Sequence, residues 1–225
     1  MTNNINEKKN LNLQVIRLDG KDCFVEAMSG AFPIGKVNLN FISYNTALEK
    51  GSKQTARINA YVDIGDFLVL AQDVLSGKIN ALAEKEKNSG NKYAQPVWTS
   101  IGGQSAKNAN RPDGKALSRQ VKLIPGLKKP FLLQAEQGVG EENSTGLIMA
   151  KYTKPEAKVM IPLTVNDLKK LVLVVKTHIE AFYGAVYTGD IVLIDKKNKN
   201  QEMLPPPGED LEPPTEEELP PVVGE

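Results

Sequence analysis

The chain has 225 residues, 40% of them hydrophobic, with 28 basic and 27 acidic side chains, one cysteine and one histidine. That length carries one large domain or two small ones with a real core. It excludes an internal disulfide framework, since Cys23 stands alone, and a histidine-rich metal site, since His178 does too.

No apolar run reaches the roughly 18 residues of a membrane span. The polar start, MTNNINEKKNLN, gives no expectation of a signal peptide. A soluble protein of a reducing cytoplasm is expected, with no metal and no cofactor. The near-neutral charge is a sum of two unlike parts. From Glu202 onward there are eight acids and no bases, so the first 201 residues hold 28 basic against 19 acidic side chains, a net of +9. A body that basic points toward a polyanion. The last segment also carries seven of the 14 prolines. It cannot bury enough apolar surface to fold. The expected organisation is a flexible N-terminus over 1–10, a folded body over 11–195 with halves near 11–90 and 91–195, and a disordered acidic tail over 196–225.

In chain order, LNLQVIRL, CFVEAMS and GKVNLNFISY read as strands, the last with Val37, Leu39 and Phe41 on its buried side. ARINAYV follows as a fourth strand, with Ile58, Ala60 and Val62 alternating against Arg57, Asn59 and Tyr61. A helix then starts at Asp63-x-x-Asp66, a spacing like a capping box, and is expected to end near Lys87 before NSGN. It places Phe67, Leu68, Ala71, Val74 and Leu75 on one face. In the second half PVWTSIGGQ, LSRQVKLI, FLLQAEQ and GLIMAKY read as strands, with RPDGK and IPGLKKP as turns. AKVMIPL is a further strand. Behind Thr164-x-x-Asp167 comes a second helix with Leu168, Leu171, Val172, Val175 and Ile179 on its apolar face. TGDIVLID reads equally as a last strand or as the fraying end of that helix.

The two strand-then-helix stretches align at an offset of 101. Ala56 to Val74 lies over Ala157 to Val175 with four identities in 19 positions and the same alternation, helix start and apolar face. The fold class expected is therefore α+β, with about four antiparallel strands and a helix, twice. That arrangement resembles the Whirly and positive-cofactor-four group of single-stranded-DNA-binding proteins, some of them from phages. The resemblance covers roughly 11–187 and rests on topology. It implies curved sheets backed by helices, sheet surfaces that hold the strand, self-association, and a role in a bacterial or phage-infected cell. The run Lys-Gly-Lys-Ala-Ala-Leu of that group has only GKAL, Gly114 to Leu117, as a counterpart, expected in a loop.

Single-strand binders need cations to track phosphates and aromatic faces to stack on bases. The densest basic stretch runs from Lys92 to Lys129, with Lys107, Arg111, Lys115, Arg119, Lys122 and Lys128 between them and Asp113 as its one acid. Tyr93 and Trp98 stand near its start. Trp98, flanked by Val97 and Ile101, fits a core position as well as a stacking platform. On the strand side opposite the helix-facing residues lie Lys36, Asn38, Asn40, Arg57, Asn59, Tyr61 and Lys158; Lys151 and Tyr152 are added from GLIMAKY. Stacking contributes about 1–3 kcal/mol per base, and six neutralised phosphates would give a salt slope of roughly −4. Cys23 reads as a small core residue and His178 as a helix-end structural one. DNA and RNA fit these residues alike.

An acid-rich tail behind a basic body resembles bacterial and phage single-strand binders. The likeness implies that Glu209, Asp210, Glu212, Glu216, Glu217 and Glu218 compete for the basic surface and recruit replication or recombination proteins. The leading expectation is a non-catalytic, sequence-tolerant single-stranded-DNA binder. An oligonucleotide-binding barrel would do the same task with a single helix. A scaffold or virion-type protein would use the basic face for an acidic protein partner. An enzyme is disfavoured: no Walker loop, nucleophile elbow or metal-ligand spacing is present.

Overall fold

The computed structural model describes residues 13–91 and 93–189. Lys92, the first ten residues, TGDIVLID beyond Gly189 and the whole acidic segment with Glu209, Asp210, Glu212, Glu216, Glu217 and Glu218 lie outside the described residues. The fold is α+β, with two antiparallel sheets of four and five strands.

Alternation builds the first sheet. Strands β1 (Gln14–Asp19), β2 (Cys23–Met28), β3 (Lys36–Tyr44) and β4 (Gln54–Asp63) pair in chain order. Val25, Ala27, Val37, Leu39, Phe41, Ile58, Ala60 and Val62 are all buried along one side. Register is strongly specified here, because a slip by one residue would turn this whole set toward water. A 3-10 turn over Ser29–Ile34 links β2 to β3 and buries Ala31 and Phe32. With Pro33 inside it, no helical or strand period announces it.

After β4 the chain forms α1 (Ile64–Leu75) and α2 (Lys78–Lys87) where a single helix was expected. The break is at Gly77, whose φ of 84° is the left-handed region that ends helices. Buried on α1 are Ile64, Phe67, Leu70, Ala71 and Val74, while Leu68 and Leu75 are half-buried.

The second sheet comprises β5 (Trp98–Gln104), β6 (Ala116–Pro125), β7 (Phe131–Glu142), β8 (Ile148–Ala150) and β9 (Ala157–Leu163). A four-residue helix, α3 (Ala106–Ala109), joins β5 to β6. Arg111 to Gly114 form the turn at RPDGK and Lys115 follows it, whereas Ala116 and Leu117 of GKAL belong to β6, not to a loop. β7 is the long strand. Its first part pairs with β9 and its far end with β8.

The two sheets share a register. Val37–Val62, Leu39–Ala60 and Phe41–Ile58 across β3 and β4 correspond to Phe131–Leu163, Leu133–Ile161 and Ala135–Val159 across β7 and β9. Val62 follows Val37 by 25 positions and Leu163 follows Phe131 by 32. The seven extra residues are taken up in the connection that folds back on β7 as β8. Asn143 shapes that hairpin: its Oδ1 accepts from the backbone N–H groups of Thr145 and Leu147 and from the Thr145 hydroxyl.

Helix α4 (Val165–Tyr187) buries Leu168, Leu171, Val172, Val175 and Ile179, the face expected from the 3.6-residue period. Its start is a full capping box. Asp167 N–H donates to Thr164 Oγ1 at 3.0 Å, and Thr164 N–H and Oγ1 donate to Asp167 Oδ2 at 3.0 and 2.7 Å. These bonds hold the Asp167 carboxyl below its ordinary pKa. At α1 only half the motif forms, with Gly65 N–H donating to Asp63 Oδ1 at 2.9 Å.

The sheets pack crosswise. β4 lies against β5, β6, β7 and β9, and β9 lies against β2, β3 and β4. β5 comes near β4 at Gly102, where an added Cβ would stand 3.6 Å from the Tyr61 carbonyl, an ordinary contact. Compact packing joins the described residues up to Ala181; a second unit starts at Phe182, where the Phe182 and Tyr183 rings meet edge-on at 5.5 Å. Among the described residues no helix is long and apolar enough to cross a membrane.

Candidate nucleic-acid interface

Each sheet has a second, polar side. On the first sheet, β1 to β4 bring Arg17, Glu26, Asn40 and Asn59 into one cross-strand row and Asp19, Phe24, Ile42 and Arg57 into the next. Asn38 stands opposite Tyr61, and Lys36 opposite Asp63. The sequence pattern thus brings Lys36, Asn38, Asn40, Arg57, Asn59 and Tyr61 to one surface. Arg17 and Phe24 share it and were missed by sequence reasoning. Their alternation was visible, but nothing local shows that β1 and β2 lie beside β3.

The charges of this surface differ in freedom. Arg17 stacks on Phe24 at 3.6 Å from the ring centre and pairs with Asp19 at 2.6 Å and Glu26 at 3.7 Å. The Asp19 bond holds its guanidinium pKa up. Lys36 pairs with Asp63 at 2.9 Å, which pulls that carboxyl down. Arg57 is exposed and its Nε donates to Asn59 Oδ1 at 3.1 Å; among the described residues it forms no ion pair. Tyr61 is 46% exposed. Asn40 is buried, and the buried side-chain oxygens of Asn38 and Asn40 have no hydrogen-bond partner among the described residues.

The second sheet repeats this surface with other chemistry. Lys158 stands opposite Glu136 as Arg57 stands opposite Ile42. Glu136 is buried and takes Lys122 at 2.7 Å, Lys158 at 3.5 Å and the Gln134 amide at 2.8 Å. The Tyr152 ring lies over Gly138, where an added Cβ would meet it at 2.7 Å. Burial pushes the Tyr152 phenol up to about 12, and its oxygen, like that of buried Ser118 nearby, finds no partner among the described residues.

The basic stretch does not gather in one place. Strand β6 spans ten residues, about 33 Å at 3.3 Å each. It carries Lys115 to one end and Lys128 and Lys129 to the other. Lys107 is exposed on α3, Lys115 after its turn and Lys128 on the β6–β7 hairpin. Lys129 donates to the Pro162 carbonyl at 3.2 Å. Arg111 is locked: it meets Glu156 at 2.7 Å and Asp113 at 2.9 Å and keeps only 16% side-chain exposure. Its bond holds Asp113 down to about 2 and Glu156 below its ordinary value as well. Lys151 is exposed but paired with Glu141 at 2.6 Å.

Tyr93 is 73% exposed ahead of β5. Trp98 pairs with Leu123, on the apolar side of the second sheet, and is half-buried. It belongs to the core side and not to the polar surface. Arg119, also on that side, sits where β5 nears β4; its Nε donates to Gln137 Oε1 at 3.2 Å, and burial lowers its pKa. Cys23 donates to the Met160 carbonyl at 3.2 Å, and His178 Nδ1 to the Val174 carbonyl of its own helix at 2.9 Å. Among the described residues no three His, Cys, Asp or Glu side chains gather as a metal site.

The strongest grouping for an anionic, ring-bearing ligand is the edge of the first sheet around Arg57 and Tyr61. Matched against the known protein families and the curated proteins, the chain finds no counterpart in either.

Proposed function

We propose that the chain is a non-catalytic, sequence-tolerant binder of single-stranded nucleic acid, acting in replication or recombination of DNA, and a relative of the Whirly group. One observation carries this reading. The polar side of the first sheet presents an exposed arginine, Arg57, that forms no ion pair among the described residues, and an exposed tyrosine, Tyr61, on the same strand. A guanidinium meets phosphate and the ring stacks on any base. A four-stranded and a five-stranded antiparallel sheet, each with a helix after its last strand, support the kinship. On this reading the acidic segment beyond Glu202 competes for the same surface and recruits partner proteins.

The test is fluorescence anisotropy of a labelled oligothymidine titrated with the full chain at several salt concentrations. Micromolar or tighter binding that weakens steeply with salt is expected. Absence of binding at low salt overturns the reading and favours a scaffold that holds an acidic protein.

A further inference from the structure

We infer that the recess beside Tyr61 and Arg119 is a subsite for one singly charged phosphodiester, with the adjoining base on the Tyr61 ring. The inference rests on the strand-binding reading and deepens it.

The recess is lined by Tyr61, Ser100, Gly102, Gly103 and Arg119 and adjoins a cleft of about 340 Å³ to which Lys36, Asp63 and Asp66 also contribute. Arg119 is half-buried, and its Nε donates to the neutral Gln137 amide. Among the described residues it forms no ion pair. A partly desolvated cation lacking a counter-charge is costly unless an anion supplies one. Gly102 brings no side chain into the recess, and the Ser100 hydroxyl adds a donor. Tyr61 lines the same recess as the guanidinium, so one nucleotide spans both groups.

Charge decides which phosphate fits. Lys36 and Asp63 neutralise each other at 2.9 Å. Asp66 has no cation partner among the described residues and faces the same cleft. A terminal phosphate, with a second pKa near 6 and about two negative charges, would place its extra charge toward Asp66. An internal diester carries one charge and matches Arg119 alone.

The experiment titrates the full chain into labelled oligothymidine across a salt series, for the natural protein, Arg119→Met, Arg119→Lys and Gly102→Ala. Arg119→Met is expected to weaken binding roughly tenfold, the loss of one charge-assisted contact, and to flatten the salt slope by about 0.7, one phosphate on a single strand. Arg119→Lys restores the slope. Gly102→Ala, whose methyl has room at 3.6 and 3.9 Å from the nearest atoms, reduces affinity severalfold while leaving the charge in place. This variant carries the test if Arg119→Met fails to fold. Unchanged affinity in the folded variants while the natural protein binds overturns the subsite and leaves the strand-binding reading intact. No binding by the natural protein overturns both. A strand with a 5′-terminal phosphate is expected to bind no tighter than one without it, and a marked preference for it overturns the diester assignment.

Discussion

The polar sides of the two sheets share a register, with β3–β4 matching β7–β9, yet they hold charge in opposite ways. In the first, Arg57 faces Ile42 and forms no ion pair among the described residues; in the second, Lys158 faces Glu136. That one buried acid draws in both Lys122 and Lys158. The tyrosines diverge in parallel, with Tyr61 open and Tyr152 sunk onto Gly138. A single carboxylate in an inner strand therefore separates a surface that seeks an anion from one that already has it. The same scaffold makes a reactive side and a self-satisfied side.

The comparison breaks first at the core. Phe41 in the first sheet occupies the place that Ala135 holds in the second, and both are fully buried. Phe41→Ala is expected to lower unfolding free energy by about 3–5 kcal/mol, read as a lower denaturant midpoint with unchanged slope. A loss under 1 kcal/mol would mean that the first sheet collapses onto small residues as the second does. Next comes stacking. Tyr61→Ala is expected to weaken strand binding by about 1–3 kcal/mol, whereas Tyr152→Phe leaves binding unchanged. The latter removes a hydroxyl with no partner among the described residues, and stability should hold or rise by up to about 1 kcal/mol.

Smaller effects sharpen the electrostatic contrast. Glu136→Gln frees two lysines, so oligothymidine binding at low salt should strengthen and the salt slope steepen by roughly 1. Arg57→Gln should weaken binding, and Lys158→Gln should do so less, because its charge is already answered. Equal losses would erase the distinction between the two surfaces. Last is the Arg111 clamp. Asp113, held down to about 2, and Glu156, also depressed, contribute stability that is present above the ordinary carboxylate range. It is lost as pH falls from about 4 toward 2. The melting temperature of the natural protein should drop more steeply across that window than that of Arg111→Met.

Local pattern carried most of the fold. The five buried positions of α4 follow from a 3.6-residue period, and the alternation in Lys36–Tyr44 and Gln54–Asp63 places every core residue of β3 and β4. What depends on neighbours far along the chain was less legible. The basic stretch from 92 to 129 looked like one patch because it is continuous in sequence, but a strand runs its length and parts its ends. Arg111 looked available for phosphate, although Glu156, 45 positions away, clamps it. Arg17 and Phe24 went unnoticed because their importance comes from lying two and three strands away from Tyr61 and Arg57. The break at Ser76–Gly77 was readable, since Gly there forms a helix end, and the apolar run through it hid the signal.

The crosswise contact of β4 with the second sheet and β9 with the first has a consequence for how the molecule comes apart. Each half is the lid over the other's oily side, so neither is expected to survive alone. A cut between Ser89 and Gly90 should leave two fragments that stay clasped and melt together in one transition. Distant segments must meet before either half gains anything, which makes assembly slow for a chain of this size.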